Sequence, residues 1–296
     1  MNQQAITTYH TLEAYHTTVQ KLRRFFFARN FIEVDTQSRL SILAACEDPK
    51  TIATFILSGI KWPLPQTGQM WLEHEMLKNP TIPGFFCLTT SYRDEPQPNN
   101  RRHLKIFPLF EFETHGDVTV LQKLMLDLLT ELGFDKTLFQ EGNYQSIAQK
   151  YQTKILDTEH EERIMQDFGS LFFLKKFPQY THPFFNMKKN DALFNKIDAI
   201  LYGVETIGAA ERSTNVDEMQ NLFHTISNGE YAQTLYSHFG KERVDKEVNA
   251  FLSHDFFPRS GGGIGVTRLM RALDLAKQDM YSALSHQSSS QYQQRI

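Results

Sequence analysis

The stretch GGGIGVTR at residues 261–268 decides the fold of this chain, together with YRDE at residues 92–95 far upstream. Glycine has no side chain, so a ligand can approach the backbone of the first stretch closely. Arg93 and Arg268 carry guanidinium groups, whose forked donors suit phosphate oxygens. If the two stretches meet in space, they can hold a nucleoside triphosphate bent over a carboxylate. That arrangement predicts an AMP-forming enzyme that activates carboxylates.

The bulk composition is that of an ordinary globular chain. Its 296 residues include 41% hydrophobic and 22% charged residues, with a formal net charge of −3. A surface that grips nucleic acid mainly through phosphates usually shows a basic excess, which this chain lacks. Two cysteines are too few for a disulfide framework, and the sequence has neither a signal pattern nor an apolar stretch of membrane-spanning length. We therefore predict a cytoplasmic protein with no membrane partner.

Strand-like and helical segments interleave without regular βαβ alternation. Strands are predicted over 84–91, 106–113, 196–204 and from Gly261 onward, and helices over 9–29, 117–134, 240–252 and 266–275. A loop rich in turn formers separates the first two strands, which indicates a long antiparallel hairpin. The order favours an α+β fold with a mainly antiparallel sheet flanked by helices. We predict one domain over 1–284 and a polar, flexible tail over 285–296.

Four further side chains suit the chemistry of carboxylate activation. Phe107 offers a flat partner for adenine, whereas Asp198 and Glu205, seven residues apart, suit magnesium, which prefers oxygen ligands. Arg212 lies seven residues further on and suits a second carboxylate of the substrate. Each feature also has an ordinary structural explanation: glycine runs form turns, carboxylates cap helices, and most phenylalanines belong to the core. Only the combination of these features, in this order along the chain, favours an active site for carboxylate activation.

In this order, the segments resemble the catalytic domain of class II aminoacyl-tRNA synthetases, and within that class the aspartyl/asparaginyl branch. The run from Tyr92 to Glu113 is similar to motif 2, and the run from Gly261 to Arg268 is similar to motif 3. Between them, DAILYGVETIGAAERS (198–213) resembles the metal-and-substrate strand of that branch. Upstream, PLPQTGQMWLEHEML (63–77) and CEDP (46–49) resemble its amino-acid-binding segments. The resemblance covers about residues 10–280 and implies the class II synthetase fold.

The resemblance also implies roles for individual residues. Arg93 and Arg268 would be catalytic. ATP would be bound by Arg93, Glu95, Arg102, His103, Leu104, Phe107, Glu205, Gly263, Gly265 and Arg268. The amino acid would be bound by Glu47, Gln69, Glu73, Arg93, Gly208 and Arg212. Asp198 and Glu205 would hold Mg²⁺.

Two departures from the family pattern shape the predicted function. Leu72 stands where aspartyl enzymes carry a lysine for the substrate side chain, which favours an asparaginyl-type pocket. The helix before motif 1 begins within the first ten or so residues, which leaves no room for the family's N-terminal anticodon-reading module. We therefore predict no anticodon-type tRNA binding and a homodimeric aspartate–ammonia ligase, which uses ATP and Mg²⁺ to convert aspartate and ammonia into asparagine. The alternatives are a stand-alone ligase that passes activated aspartate or asparagine to a protein, a tRNA or a metabolite, and a catalytically silent paralogue.

Overall fold

The computed structural model describes residues 11–45, 47–95, 104–181 and 184–293, with side chains described to residue 282. The strands are β1 (Ile32–Glu33), β2 (Thr54–Leu57), β3 (Ile60–Pro63), β4 (Gly84–Tyr92), β5 (Ile106–His115), β6 (Gln140–Asn143), β7 (Leu171–Pro178), β8 (Lys189–Asn190), β9 (Leu193–Leu201), β10 (Val204–Glu211) and β11 (Arg259–Gly265). The helices are α1 (Leu12–Phe27), α2 (Gln69–Lys78), α3 (Val118–Leu132), α4 (Tyr144–Lys150), α5 (Thr158–Phe168), α6 (Val216–Thr225), α7 (Glu230–Phe239), α8 (Lys241–Leu252) and α9 (Val266–Gln293).

A mixed, mainly antiparallel sheet forms the centre of the molecule. Its strands run in the order β1-β4-β5-β11-β10-β9-β7-β6, with β8 paired to β9, whereas β2 and β3 form a separate hairpin. Only the β1–β4 and β6–β7 pairs among these strands are parallel. The predicted α+β class and the long β4–β5 hairpin are both confirmed.

Two predicted element boundaries were wrong. The run 196–204 is not one strand, because Tyr202 and Gly203 adopt positive φ angles and turn the chain back between β9 and β10. Asp198 and Glu205 therefore lie on neighbouring antiparallel strands rather than at the end of one strand. The last helix does not end near Leu275, since it continues through residues of the predicted tail to Gln293.

The two faces of the sheet serve different purposes. On β5, Phe110 and Phe112 are fully buried in the main apolar cluster, which joins the sheet to α1, α3 and α9. Alternate residues of a strand point to opposite faces, so Glu111 and Glu113 point away from this cluster. The face that carries these two glutamates also carries the candidate site.

Candidate active site

Two rows of paired residues across β5, β11, β10 and β9 underlie a cavity of about 520 Å³, and all of their members except the buried Glu113 and Asp198 line it. The first row consists of Glu111, Gly263, Gly208 and Asp198, and the second of Glu113, Gly261, Ala210 and Lys196. Small residues occupy the two middle strands, and charged residues stand at the ends. Because neighbouring strands lie about 4.8 Å apart, each row leaves an open floor between its charged ends.

The predicted ATP-binding residues converge on this cavity. The Arg93 guanidinium lies 5.4 Å from the centre of the Phe107 ring and pairs with the carboxylate of Glu47. Its Nε is buried and has no hydrogen-bond partner among the described residues. Arg268 donates from Nη1 to the backbone oxygen of Glu205, at 2.7 Å. Within the described part of the chain, the predicted ATP-binding residues that line the cavity are Arg93, Glu95, Leu104, Phe107, Glu205, Gly263, Gly265 and Arg268.

A buried network of hydrogen bonds surrounds Arg212 at the Glu113 end of the second row. Arg212 Nη2 donates to Glu113 at 3.2 Å, and Gln69 Nε2 donates to the same carboxylate. Burial raises the pKa of Glu113 to about 7, whereas the neighbouring Arg212 lowers it. A Cβ on Gly261 would stand 1.9 Å from Glu113 Oε2, so only glycine fits beside this network. Arg212, Gln69 and Gly261 line the cavity.

Glu73 lies behind Arg212 and does not line the cavity. It is fully buried, and its Oε2 accepts hydrogen bonds from Arg259 Nη2 at 2.7 Å and Nε at 3.1 Å. Its Oε1 accepts from Asn186 at 2.6 Å and lies 3.5 Å from Arg212 Nε. The structure therefore places Glu73 where it supports Arg212, and its role as an amino-acid ligand stays a prediction.

Glu111 lines the cavity at the end of the first row. Thr89 Oγ1 and the Gly68 amide donate to it at 2.8 and 2.7 Å, and Thr67 Oγ1 donates as well. Burial raises the pKa of the Glu111 carboxyl to about 7, although these donors oppose the shift. Its place in the Phe110–Glu113 alternation of apolar and acidic residues was the signal that could have identified it from the sequence.

A third group of charges lies at the β9 end of the floor. Lys196 Nζ donates to Asp198 Oδ2 at 2.6 Å, whereas Asp198 Oδ1 is buried without a hydrogen-bond partner among the described residues. A β-bulge between Glu205 and Ile207 shifts the alternation on β10, so Glu205 turns to the cavity while Ile207 stays in the core. Burial and the charges of Glu205 and Glu161 raise the pKa of Asp198 to about 7, although Lys196 opposes this.

These two carboxylates offer oxygen donors, the kind of protein ligand that Mg²⁺ prefers. A Cβ on Gly208 would stand 3.0 Å from Glu205 Oε1 and 3.6 Å from Asp198 Oδ1, so both oxygens converge over this glycine. The unpartnered Asp198 Oδ1 is the kind of buried oxygen that a bound cation would satisfy. No group of three or more histidine, cysteine, aspartate or glutamate residues that could hold a metal ion occurs among the described residues.

A comparison with protein families identifies the architecture. A family model described as tRNA synthetases class II (D, K and N) matches residues 5–278. The chain belongs to this family. Its class II synthetase fold also agrees with solved structures. It aligns with the asparaginyl-tRNA synthetase of Pyrococcus horikoshii in complex with asparaginyl-adenylate (TM-score 0.71, 20% identity), covering 88% of this chain and 64% of that one.

Two further structural neighbours show the same fold. One is the asparaginyl-tRNA synthetase of Entamoeba histolytica with asparaginyl-adenylate, which has a TM-score of 0.68 and 16% identity over 88% of this chain and 63% of the other. The other is the aspartyl-tRNA synthetase of the same organism, with a TM-score of 0.66 and 16% identity over 88% and 54%. The chain thus spans less than two thirds of each of these class II synthetases.

Some features that the class II resemblance singled out lie away from the cavity or outside the described residues. Leu72 is fully buried in an apolar cluster with Met76, Phe85 and Cys87 and does not line the cavity. Arg102 and His103 lie outside the described residues. The helices in the described part of the chain include none that is long and apolar enough to cross a membrane.

Proposed function

We propose that this class II synthetase relative activates aspartate with ATP and transfers the product to ammonia, giving asparagine and AMP. One observation carries the proposal: a single cavity joins two guanidinium groups, Arg93 and Arg268, to a third, Arg212, across the glycine floor. A dicarboxylic amino acid needs one cation for the carboxylate that reacts and another for the carboxylate that does not. The cavity supplies both.

In the first step, a carboxylate oxygen of aspartate attacks the α-phosphorus of ATP as the bond to pyrophosphate breaks. Arg93 and Arg268 stabilise the negative charge that gathers on the phosphates. Phe107 stacks on adenine, and Glu95 accepts from the adenine amino group. A magnesium ion held by Asp198 and Glu205 would neutralise further phosphate charge. The step needs no general base, because it rests on positioning and charge stabilisation.

Asparagine forms only if the side-chain carboxylate is the one that reacts. In the proposed orientation, Arg212 holds the α-carboxylate at the Glu113 end of the floor. Glu111 and Glu47 accept hydrogen bonds from the substrate ammonium, and Gln69 and the open backbone at Gly208 shape the pocket around it. The side-chain carboxylate then points along the floor towards Arg93. In the second step, ammonia attacks the activated carbonyl carbon, AMP leaves with the bonding electrons, and the surplus proton passes to solvent.

A second candidate function is the transfer of the activated amino acid to an amine larger than ammonia. A second cavity of about 400 Å³ adjoins the first and shares Glu47 and Phe184 with it. Ammonia requires no cavity of that size, so the presence of the second cavity favours a bulkier acceptor.

A homodimer stays a prediction, supported by the exposed apolar side chains of Phe27 and Ile32 beside the edge strand β1.

Pyrophosphate exchange tests the proposal directly. The protein is incubated with ATP, Mg²⁺, labelled pyrophosphate and each amino acid in turn, with Arg268→Ala as the inactive control. We expect exchange with aspartate, and asparagine and AMP in equal amounts once ammonium is added. Aspartate-dependent adenylate without asparagine would favour the larger acceptor. If none of the amino acids supports pyrophosphate exchange, the result would favour the catalytically silent paralogue.

A further inference from the structure

Lys196 is a charged residue of the cavity for which the proposed reaction has no role. It ends the second row of the floor, lines the cavity, and lies with its Nζ 4.0 Å from the centre of the Phe177 ring. The ring supports the ammonium from one side, and Asp198 Oδ2 accepts its hydrogen bond from another at 2.6 Å. Lys196 is therefore held in one place rather than left to move in solvent.

This ammonium shares its carboxylate with the candidate metal site. One oxygen of Asp198 accepts from Lys196, and the other converges with Glu205 Oε1 over Gly208. Lys196 thus cancels one of the negative charges that would attract a divalent cation to Asp198 and Glu205, which also lie near the charge of Glu161. It also stands close enough to the second oxygen of Asp198 to repel a metal ion bound there.

We propose that Lys196 is a resident counter-ion that makes this site select a metal–nucleotide complex over a free divalent cation. Without nucleotide, the ammonium neutralises Asp198 and so weakens the attraction of the site for a metal ion. With nucleotide, phosphate oxygens supply the missing negative ligands, and the ammonium gains phosphate as an additional partner. This inference rests on the proposed ATP-dependent function, and it makes Lys196 a specificity-determining residue for the form in which the metal arrives.

Titration with Mn²⁺ in the absence of nucleotide tests the inference without using activity. Free Mn²⁺ is followed by electron paramagnetic resonance in the presence of the full-length protein. We expect weak binding by the wild type and by Lys196→Arg, which keeps the charge. We expect binding at least about tenfold tighter in Lys196→Gln, because removing a nearby positive charge is worth a tenfold change or more. The double variant Lys196→Gln/Asp198→Asn should lose this gain.

Equal Mn²⁺ affinity in the wild type and a folded Lys196→Gln would overturn the inference. If Lys196→Gln does not fold, the wild type decides, since saturable Mn²⁺ binding below about 100 µM without nucleotide is too tight for a site neutralised by Lys196. The proposed function fails separately, through the absence of amino-acid-dependent pyrophosphate exchange. The two failures are therefore distinguishable.

Discussion

The two ends of the cavity floor differ in how completely their charges are paired. At the β5 end, Glu113 is bonded to Arg212 and Gln69, and Glu73 behind them is bonded to Arg259. At the β9 end, one oxygen of Asp198 has Lys196, and the other has no partner among the described residues. The charges of the first end are therefore more completely paired than those of the second.

This difference predicts a division of labour between stability and binding. A fully paired buried network contributes to the folded state, because removing one member leaves its partner charged and unsatisfied. An incompletely paired group contributes to ligand binding, since the ligand supplies the missing partner. Substitutions at the β5 end should therefore lower the free energy of unfolding more than substitutions at the β9 end.

Arg212→Met should have the largest effect on stability. It leaves the carboxylates of Glu113 and Glu73 buried with fewer partners, so we expect the free energy of unfolding to fall by about 3–5 kcal/mol. Urea denaturation measures this loss. Arg24→Met, on the exposed side of α1, is the matched control and should stay within about 0.5 kcal/mol of the wild type. Similar losses in the two variants would mean that the Arg212 network does not stabilise the fold.

Two glycine substitutions on β11 test the same end of the floor. In Gly261→Ala, the new Cβ would stand 1.9 Å from Glu113 Oε2 and must displace it, so we expect a loss of about 1–3 kcal/mol. Gly263→Ala is the matched control, because its nearest neighbour would be Leu109 Cδ1 at 3.4 Å. Denaturation should leave Gly263→Ala near the wild type, while its KM for ATP rises because the Cβ enters the cavity. A reversed order of stabilities would contradict the placement of the network.

Most of the fold could be predicted from the sequence, but less of the candidate site could. The hairpin of β4 and β5 was predictable because its segments are rich in β-forming residues and a turn-rich loop separates them. The start of α9 was predictable because the glycine run ends where helical periodicity begins. The orientation of Glu205 towards the cavity was not predictable, since it depends on a one-residue bulge between Glu205 and Ile207 that has no sequence signal.

The surroundings of two charged residues of the site could not be predicted from the sequence. Glu73 fits the family pattern for an amino-acid ligand, yet the guanidinium of Arg259, 186 residues later, binds its carboxylate behind Arg212. Sequence spacing on α2 cannot reveal a partner on β11. Lys196, in contrast, lies two residues before Asp198 on one strand, and that spacing alone predicts that both side chains share one face of the sheet.

Glu111→Gln should change how stability depends on pH. The carboxyl has a folded-state pKa of about 7, against an ordinary value of 4.5. Between these values the folded state keeps a proton that the unfolded state has released, so raising the pH destabilises the fold, by up to about 1.4 kcal/mol per pH unit. Glutamine removes this contribution. Denaturation at pH 5, 6, 7 and 8 measures the free energy of unfolding. It should fall less steeply with rising pH in Glu111→Gln than in the wild type, and as steeply as in the wild type in the exposed Glu242→Gln. Parallel curves for all three proteins would contradict a raised pKa at Glu111.

Asp198→Asn should have a small effect on stability and a large effect on activity. Asparagine keeps an oxygen for Lys196 and removes a buried carboxylate whose charged form burial disfavours, so the free energy of unfolding should stay within about 1 kcal/mol of the wild type. The same variant loses a ligand of the candidate metal site, and pyrophosphate exchange should fall by about 10- to 100-fold. Arg212→Met would lose both stability and exchange, so the ratio of the two losses distinguishes the ends of the floor. An Asp198→Asn protein that is as unstable as Arg212→Met would show that Asp198 belongs to a network that stabilises the fold. The proposed ligand-binding role of the β9 end would then be contradicted.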